Sequence, residues 1–340
     1  MGKKSLKILF RISGGRAKNK EYGLGHIYHA MNLATRLKNC EYFFLVEDFG
    51  RAKKLLESYG YQNIFLLKKN IDVKSDVEIT KKIISKHNID ILIVDKHDFK
   101  TKSYSKLMKK VIKTVVISDV YKIDYEADLV INGFIGFQNS IITNKLGTKC
   151  LLGPKYQILN KKYEDKIKTR RKKYSLLITF GGFDEQNIIE NICDELEKYL
   201  DMIKIKIITG YATNSSKKLK YLKTKYPHNF FTISETQDLK KEISQSNFGI
   251  CAGGITTYEF ATLKIPFIII CQYKHQLQTA KEWESQNYAI NLGLPNSRTK
   301  YKIRKALNEI FTNKPALIPK NNLVDGFGAG RVAENIKKLV

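Results

Sequence analysis

His26 follows Gly23-x-Gly25 where the pattern marks the start of a helix, with Ile27, Ala30, Ala34 and Leu37 on one stripe. The glycines let backbone approach a ligand closely. A histidine in the first turn meets the positive end of the helix dipole, which disfavours imidazolium, and a neutral ring can accept a proton. The plainer reading is a capping or packing residue. His29, three residues on, shares a face with His26 and could begin a metal site, but no third ligand is evident and no metal is expected.

Three more glycine-bearing or polar turns carry possible chemistry. Thr179-Phe180-Gly181-Gly182-Phe183-Asp184 runs from a strand into a tight turn whose N–H groups can meet a phosphate; Asp184 reads equally well as a helix N-cap. In Cys251-Ala252-Gly253-Gly254-Ile255-Thr256-Thr257-Tyr258-Glu259, a strand ends in a glycine pair and two threonines open a helix. That combination suits a pyrophosphate, and Glu259, one turn in, could take the two hydroxyls of a ribose or simply complement the helix dipole. Cys271-Gln272-Tyr273-Lys274-His275-Gln276 places polar groups at another strand end. There is no Walker A loop and no full Gly-x-Gly-x-x-Gly fingerprint, which argues against ATP hydrolysis and nicotinamide chemistry. No cofactor is expected.

These turns need strands that end in one place. Strand candidates at 7–12, 42–46, 63–67, 90–95, 114–118 and 129–132 alternate in the first half with helical stretches at 26–38, 51–59, 76–87 and 103–112. A second series has strands at 175–180, 203–208, 230–233, 248–251, 267–270 and 288–291, with helices at 186–200, 216–225, 236–244, 256–263, 276–286 and 300–311. The alternation predicts two doubly wound, parallel-sheet α/β (Rossmann-like) domains, 1–155 and 175–340, joined by a linker at 156–174. The domains are expected to face each other across a cleft. The final helix is expected to pack back on the first domain.

The chain has 340 residues and a formal charge of +27, which raises nucleic acid as a partner. The excess is positive in every consecutive 50-residue block, and nine of the 60 cationic residues are arginine, the residue of specific base contacts. A diffuse lysine-rich surface of this kind gathers small anions and argues against a nucleic-acid footprint. The densest run, Arg170-Arg171-Lys172-Lys173, falls in the expected linker. Five widely spaced cysteines form no C-x-x-C pair, and no apolar stretch approaches the roughly 20 residues of a membrane span. The N-terminus lacks the apolar run of a secretory signal, so a cytoplasmic protein is expected.

The order and spacing of these elements resemble the nucleotide-sugar hydrolases of pseudaminic acid biosynthesis, which have the two-domain GT-B architecture. More distantly the chain resembles the glycosyltransferase that adds N-acetylglucosamine to the peptidoglycan lipid precursor. The matching residues are Phe10-Arg11, Gly23-x-Gly25-His26, Val94-Asp95, Leu152-Gly153-Pro154-Lys155-Tyr156, Phe180-Gly181-Gly182-x-Asp184, Ala252 to Glu259, Gln276 and Asp325-Gly326-x-Gly328-Ala329-x-Arg331. The Gly-Pro-Lys-Tyr and closing glycine stretches are specific to the hydrolase-like group. The resemblance implies cleavage of a UDP-linked diacetamido-trideoxy sugar to UDP and free sugar, with His26 activating water. It places Gly25, Gly181, Gly182, Gly253, Gly254, Thr256, Thr257 and Glu259 on the nucleotide. Arg11, His29, Asp95, His275 and Gln276 fall on the sugar side. Where the family has an acid, an arginine and Asp-His-Tyr, this chain has Ser13, His29 and Asp95-Lys96-His97. A transferase using the same donor, with a sugar or a membrane lipid as acceptor, is the alternative.

Overall fold

The computed structural model describes residues 5–15, 23–96, 100–165, 172–184, 186–210, 216–312, 317 and 322–340. The chain divides into two compact units, Met1–Lys161 with Gly326–Val340, and Lys162–Asp325. In the first unit β1 (Leu6–Gly14), α1 (Gly25–Ala34), β2 (Cys40–Asp48), α2 (Ala52–Ser58), β3 (Ile64–Leu67), α3 (Val73–His87), β4 (Ile91–Asp95), α4 (Thr101–Lys109), β5 (Lys113–Ser118) and β6 (Leu129–Asn132) alternate as expected. Two further strands, β7 (Ser140–Thr143) and β8 (Lys149–Leu152), complete a sheet of order β3-β2-β1-β4-β5-β6-β8-β7.

All pairings in that sheet are parallel except β7 with β8. Every residue of β4 and β6 is buried, as a parallel sheet covered on both faces requires. The β7–β8 pair is absent from the sequence-based expectation. Four-residue strands are too short to show a period, and β7 exposes Ile141 and Ile142. Their turn is made by Asn144, whose side chain accepts from Leu146 N and Thr148 N, followed by Gly147 at φ 74°.

The second unit repeats the scheme with β9 (Tyr174–Thr179), α5 (Ile188–Glu197), β10 (Ile205–Ile208), α6 (Lys217–Lys225), β11 (Phe230–Ile233), α7 (Leu239–Ser244), β12 (Ser246–Cys251), α8 (Ile255–Thr262), β13 (Phe267–Ile269), α9 (Gln276–Ser285), β14 (Ala289–Asn291) and α10 (Thr299–Thr312). Its six strands are all parallel, in the order β11-β10-β9-β12-β13-β14. Leu176, Ile178, Ile192, Ile205, Ile250 and Ile268 meet in its core.

Local chemistry sets the helix ends. Asp72 caps α3 through Ser75 N at 2.9 Å, and Ser216 caps α6 through Leu219 N at 3.1 Å. The last helix, α11 (Gly328–Lys337), belongs to the first unit, where it packs on α1 and the 3₁₀ turn Pro154–Tyr156. No described helix is long and apolar enough to cross a membrane.

Candidate functional site

In the first unit, β1 and β4 lie side by side, so α1, which follows β1, starts beside the C-terminal end of β4. That adjacency brings Asp95 to two histidines 69 and 66 residues away. His26 Nδ1 is 2.6 Å from Asp95 Oδ1, and His29 Nδ1 is 3.1 Å from Asp95 Oδ2. Asp95 is 2% exposed. Burial alone would push its carboxyl up, but the two imidazoles reverse that and hold it below its ordinary value. An ionised carboxylate accepts, so both histidines carry their proton on Nδ1. In the neutral ring, the basic atom of His26 is then Nε2.

α1 begins without a side-chain cap, which keeps its first N–H groups and positive dipole end beside His26. A Cβ on Gly25 would meet nothing within 4 Å, so internal packing does not demand glycine there.

Asp95 also supplies the third metal donor that spacing in the sequence hides. One ligand atom from each of His26, His29 and Asp95 lies within 4.8 Å of the other two. Yet ligands about 2.0–2.1 Å from a tetrahedral ion stand about 3.3 Å apart, and 2.6 Å is a hydrogen-bond length. A shared proton accounts for the geometry without an ion.

Arg11, expected on the sugar side, is committed to the protein's own carboxylates. It is fully buried, and its guanidinium forks onto Asp76 of α3, with Nε and one terminal nitrogen each 2.9 Å from a carboxylate oxygen. Glu47 lies 3.3 Å from the same terminal nitrogen and accepts from Ser13 Oγ at 3.0 Å. Lys96 joins the cluster at 2.8 Å from Asp76, over the ring of Tyr104. Arg11 therefore fixes α3 to the sheet. His97 and residues 16–22 lie outside the described residues.

In the second unit the 179–184 and 271–276 turns are stitched together by Gln272 and Gln276. Gln272 donates from Nε2 to the carbonyls of Phe180 and Phe183 at 3.2 and 3.0 Å, and from its backbone N to Gln276 Oε1 at 2.8 Å. Gln276, expected to face the sugar, is buried with its carbonyl committed to this bond. His275 is partly exposed and stacks on Tyr273 at 5.7 Å.

The glycine turns differ. Asp184 accepts from Ile188 N and Ile189 N at 2.8 Å each, so the start of α5 is closed by the protein's own carboxylate. In the turn before it, Gly181 N donates to Thr179 Oγ at 3.4 Å. Gly181 has φ 77°, which favours glycine, and a Cβ there would meet nothing within 4 Å. At α8 the cap position is Gly254, with no side-chain cap and no neighbour within 4 Å of where a methyl would stand. A Cβ on Gly253, by contrast, would press on Gln276 at 2.9 Å.

Thr257, expected on the phosphates, points inward. It is fully buried, donates to Gly254 O at 2.7 Å and accepts from Trp283 Nε1 at 2.8 Å. Thr256 is also mostly buried, and its hydroxyl interacts with Glu259. Glu259 is partly buried on α8, and burial pushes its carboxyl up to about 7, with the Tyr163 and Thr256 hydroxyls pulling the other way.

Residues 175–336 match the glycosyltransferase family 28 C-terminal domain. The chain is 24% identical to the spore coat polysaccharide biosynthesis protein SpsG of Bacillus subtilis, covering 94% of this chain and 95% of that protein. It is also 24% identical to the UDP-2,4-diacetamido-2,4,6-trideoxy-beta-L-altropyranose hydrolase of Campylobacter jejuni, over 84% of this chain and 98% of that one. Among solved structures, MurG of Acinetobacter baumannii has a TM-score of 0.65 at 15% identity, covering 98% of this chain and 99% of its own. These similarities bear out the resemblance and the fold class: two doubly wound, parallel-sheet α/β domains of the GT-B kind.

Proposed function

We propose that this protein is an enzyme acting on UDP-sugars, and specifically a hydrolase that releases UDP and free sugar by attack of water at the anomeric carbon. The observation that carries this reading is the His26 Nδ1–Asp95 Oδ1 pair at 2.6 Å, beside the uncapped start of α1. Asp95 holds the ring so that Nε2 takes a proton from water as its oxygen bonds to the anomeric carbon. The bond from that carbon to the UDP oxygen breaks, and the electron pair leaves with UDP. In this reading the first unit supplies the base. The second supplies the Gly181–Gly182 and Gly253–Gly254 turns for the diphosphate, the uncapped N–H groups of α8 for the leaving charge, and Glu259 for the ribose.

The similarity to the Campylobacter hydrolase supports a diacetamido-trideoxy sugar as the substrate and nonulosonic acid synthesis as the setting. A transferase is the second reading, favoured by the glycosyltransferase match over 175–336. A base that deprotonates water would equally deprotonate an acceptor hydroxyl. Incubation with UDP-sugars and no acceptor separates the two. UDP and free sugar in equal amounts mark the hydrolase, whereas UDP release that waits for an added acceptor marks the transferase.

A further inference from the structure

We infer that Gln157 is a positioning residue for the His26–Asp95 pair: clamped between Gly133 and Gly328, it fixes the tautomer of His29 and, through the carboxylate they share, the ring of His26. Both oxygens of Asp95 are engaged, one by each imidazole. A neutral His29 therefore presents Nδ1–H to Asp95 and a lone pair on Nε2. Gln157 Nε2 lies 3.4 Å from that Nε2 and is the donor it requires. With His29 neutral, the row His26–Asp95–His29–Gln157 thus has one consistent assignment of protons. Reversing the Gln157 amide would put a carbonyl against the His29 lone pair, or demand a proton there and make the ring cationic.

Gln157 is buried and held from several sides. Its backbone N donates to Pro154 O at 3.1 Å in the 3₁₀ turn that follows β8. A Cβ on Gly133, just after β6, would collide with Gln157 Oε1, and one on Gly328, the first residue of α11, would collide with its carbonyl oxygen. One turn further along α11, Arg331 donates to Lys155 O at 3.0 Å. The Gly-Pro-Lys-Tyr stretch and the closing glycine stretch, far apart in sequence, therefore meet at Gln157. Their common task is to hold one amide against one imidazole.

The effect on catalysis rests on His26 acting as the base; the effect on tautomers does not. The test is nitrogen-15 NMR of the imidazoles in the full chain near neutral pH, with steady-state kinetics alongside. In the unmodified protein His26 and His29 are both expected as Nδ1–H tautomers, and His29 found with its proton on Nε2 overturns the inference at once. Gln157→Glu keeps the shape and replaces the donor by an acceptor. It is expected to convert His29 to the doubly protonated form, shift the His26 signals, and lower kcat roughly 10-fold, the low end for partners that orient a functional histidine, with KM little changed. A folded Gln157→Glu protein with both histidines unaltered contradicts the inference.

Should that variant fail to fold, Gln157→Asn, which only retracts the amide, must move the His29 Nε2 resonance; unaltered His29 signals in it are equally contrary. If the unmodified protein releases UDP from no nucleotide sugar, the functional reading fails while the tautomer result stands by itself.

Discussion

Asp95 Oδ1 sits 2.6 Å from His26 Nδ1 on a carboxylate that has only 2% of its surface exposed, so a buried charge and a proton acceptor form one unit. The carboxylate orients the ring and stabilises the imidazolium that forms when water is deprotonated. Asp95→Asn keeps the shape and can present an N–H to the ring nitrogen, which favours the wrong tautomer. The expected loss in kcat is on the order of 10⁴-fold, as for other histidine bases deprived of their orienting carboxylate. UDP affinity, measured by calorimetry, should change little, because Asp95 does not touch the nucleotide turns in this account.

Two neighbouring glycines give opposite expectations. Gly254 has an extended backbone (φ −103°, ψ −156°) and open space where a methyl would stand, so Gly254→Ala should leave the Tm almost unchanged and yet weaken UDP binding. Gly253→Ala would press on Gln276 at 2.9 Å and should lower the Tm. Equal UDP affinity in Gly254→Ala would show that the space is not reserved for the diphosphate.

Arg11, Asp76 and Lys96 form a cluster almost wholly removed from water. Burial would raise the Asp76 carboxyl, but Arg11 and then Lys96 outweigh it and hold it below its ordinary value. Its contribution to stability is therefore present above the unfolded value and is lost as pH falls through the lower folded one. Asp76→Asn removes the carboxylate that Arg11 and Lys96 share, leaving Arg11 with Glu47, and should cost about 3–5 kcal/mol at neutral pH. Urea unfolding measures it, and a loss below about 1 kcal/mol would make the cluster incidental.

Glu259 behaves in the opposite sense. Burial lifts its carboxyl from 4.5 to about 7, so the folded chain holds the proton more tightly than the unfolded one. Stability from this group is full below pH 4.5 and is lost as pH rises through about 7. Glu259→Gln removes the dependence. The Tm of the variant relative to the unmodified protein should therefore rise between about pH 5 and pH 8; a difference that shrinks over that range contradicts the burial of Glu259.

The alternating strands and helices were legible because parallel strands buried on both faces are continuous apolar runs, as in Ile91–Asp95. The turns were legible from their glycines. Side-chain direction was not. Nothing local tells that the Thr257 hydroxyl meets Trp283, 26 residues on, or that Arg11 points toward Asp76 of α3. Asp95 could be picked out by resemblance, but its grip on His26 and His29 exists only because β4 pairs with β1. Gln157 escaped notice, and Gln272 was visible as a polar residue of its turn but not in its role, for the same reason: an amide becomes informative only when its partners are known.

The most direct measurement of the central claim follows UDP release by phosphorus-31 NMR from a panel of UDP-sugars, including diacetamido-trideoxy sugars, with no acceptor present. The account predicts UDP and free sugar in equal amounts from at least one of them. It also predicts a fall of about 10²–10⁴-fold in His26→Ala with UDP still bound. Undiminished turnover in His26→Ala, or no binding of any uridine nucleotide by the unmodified protein, would contradict it.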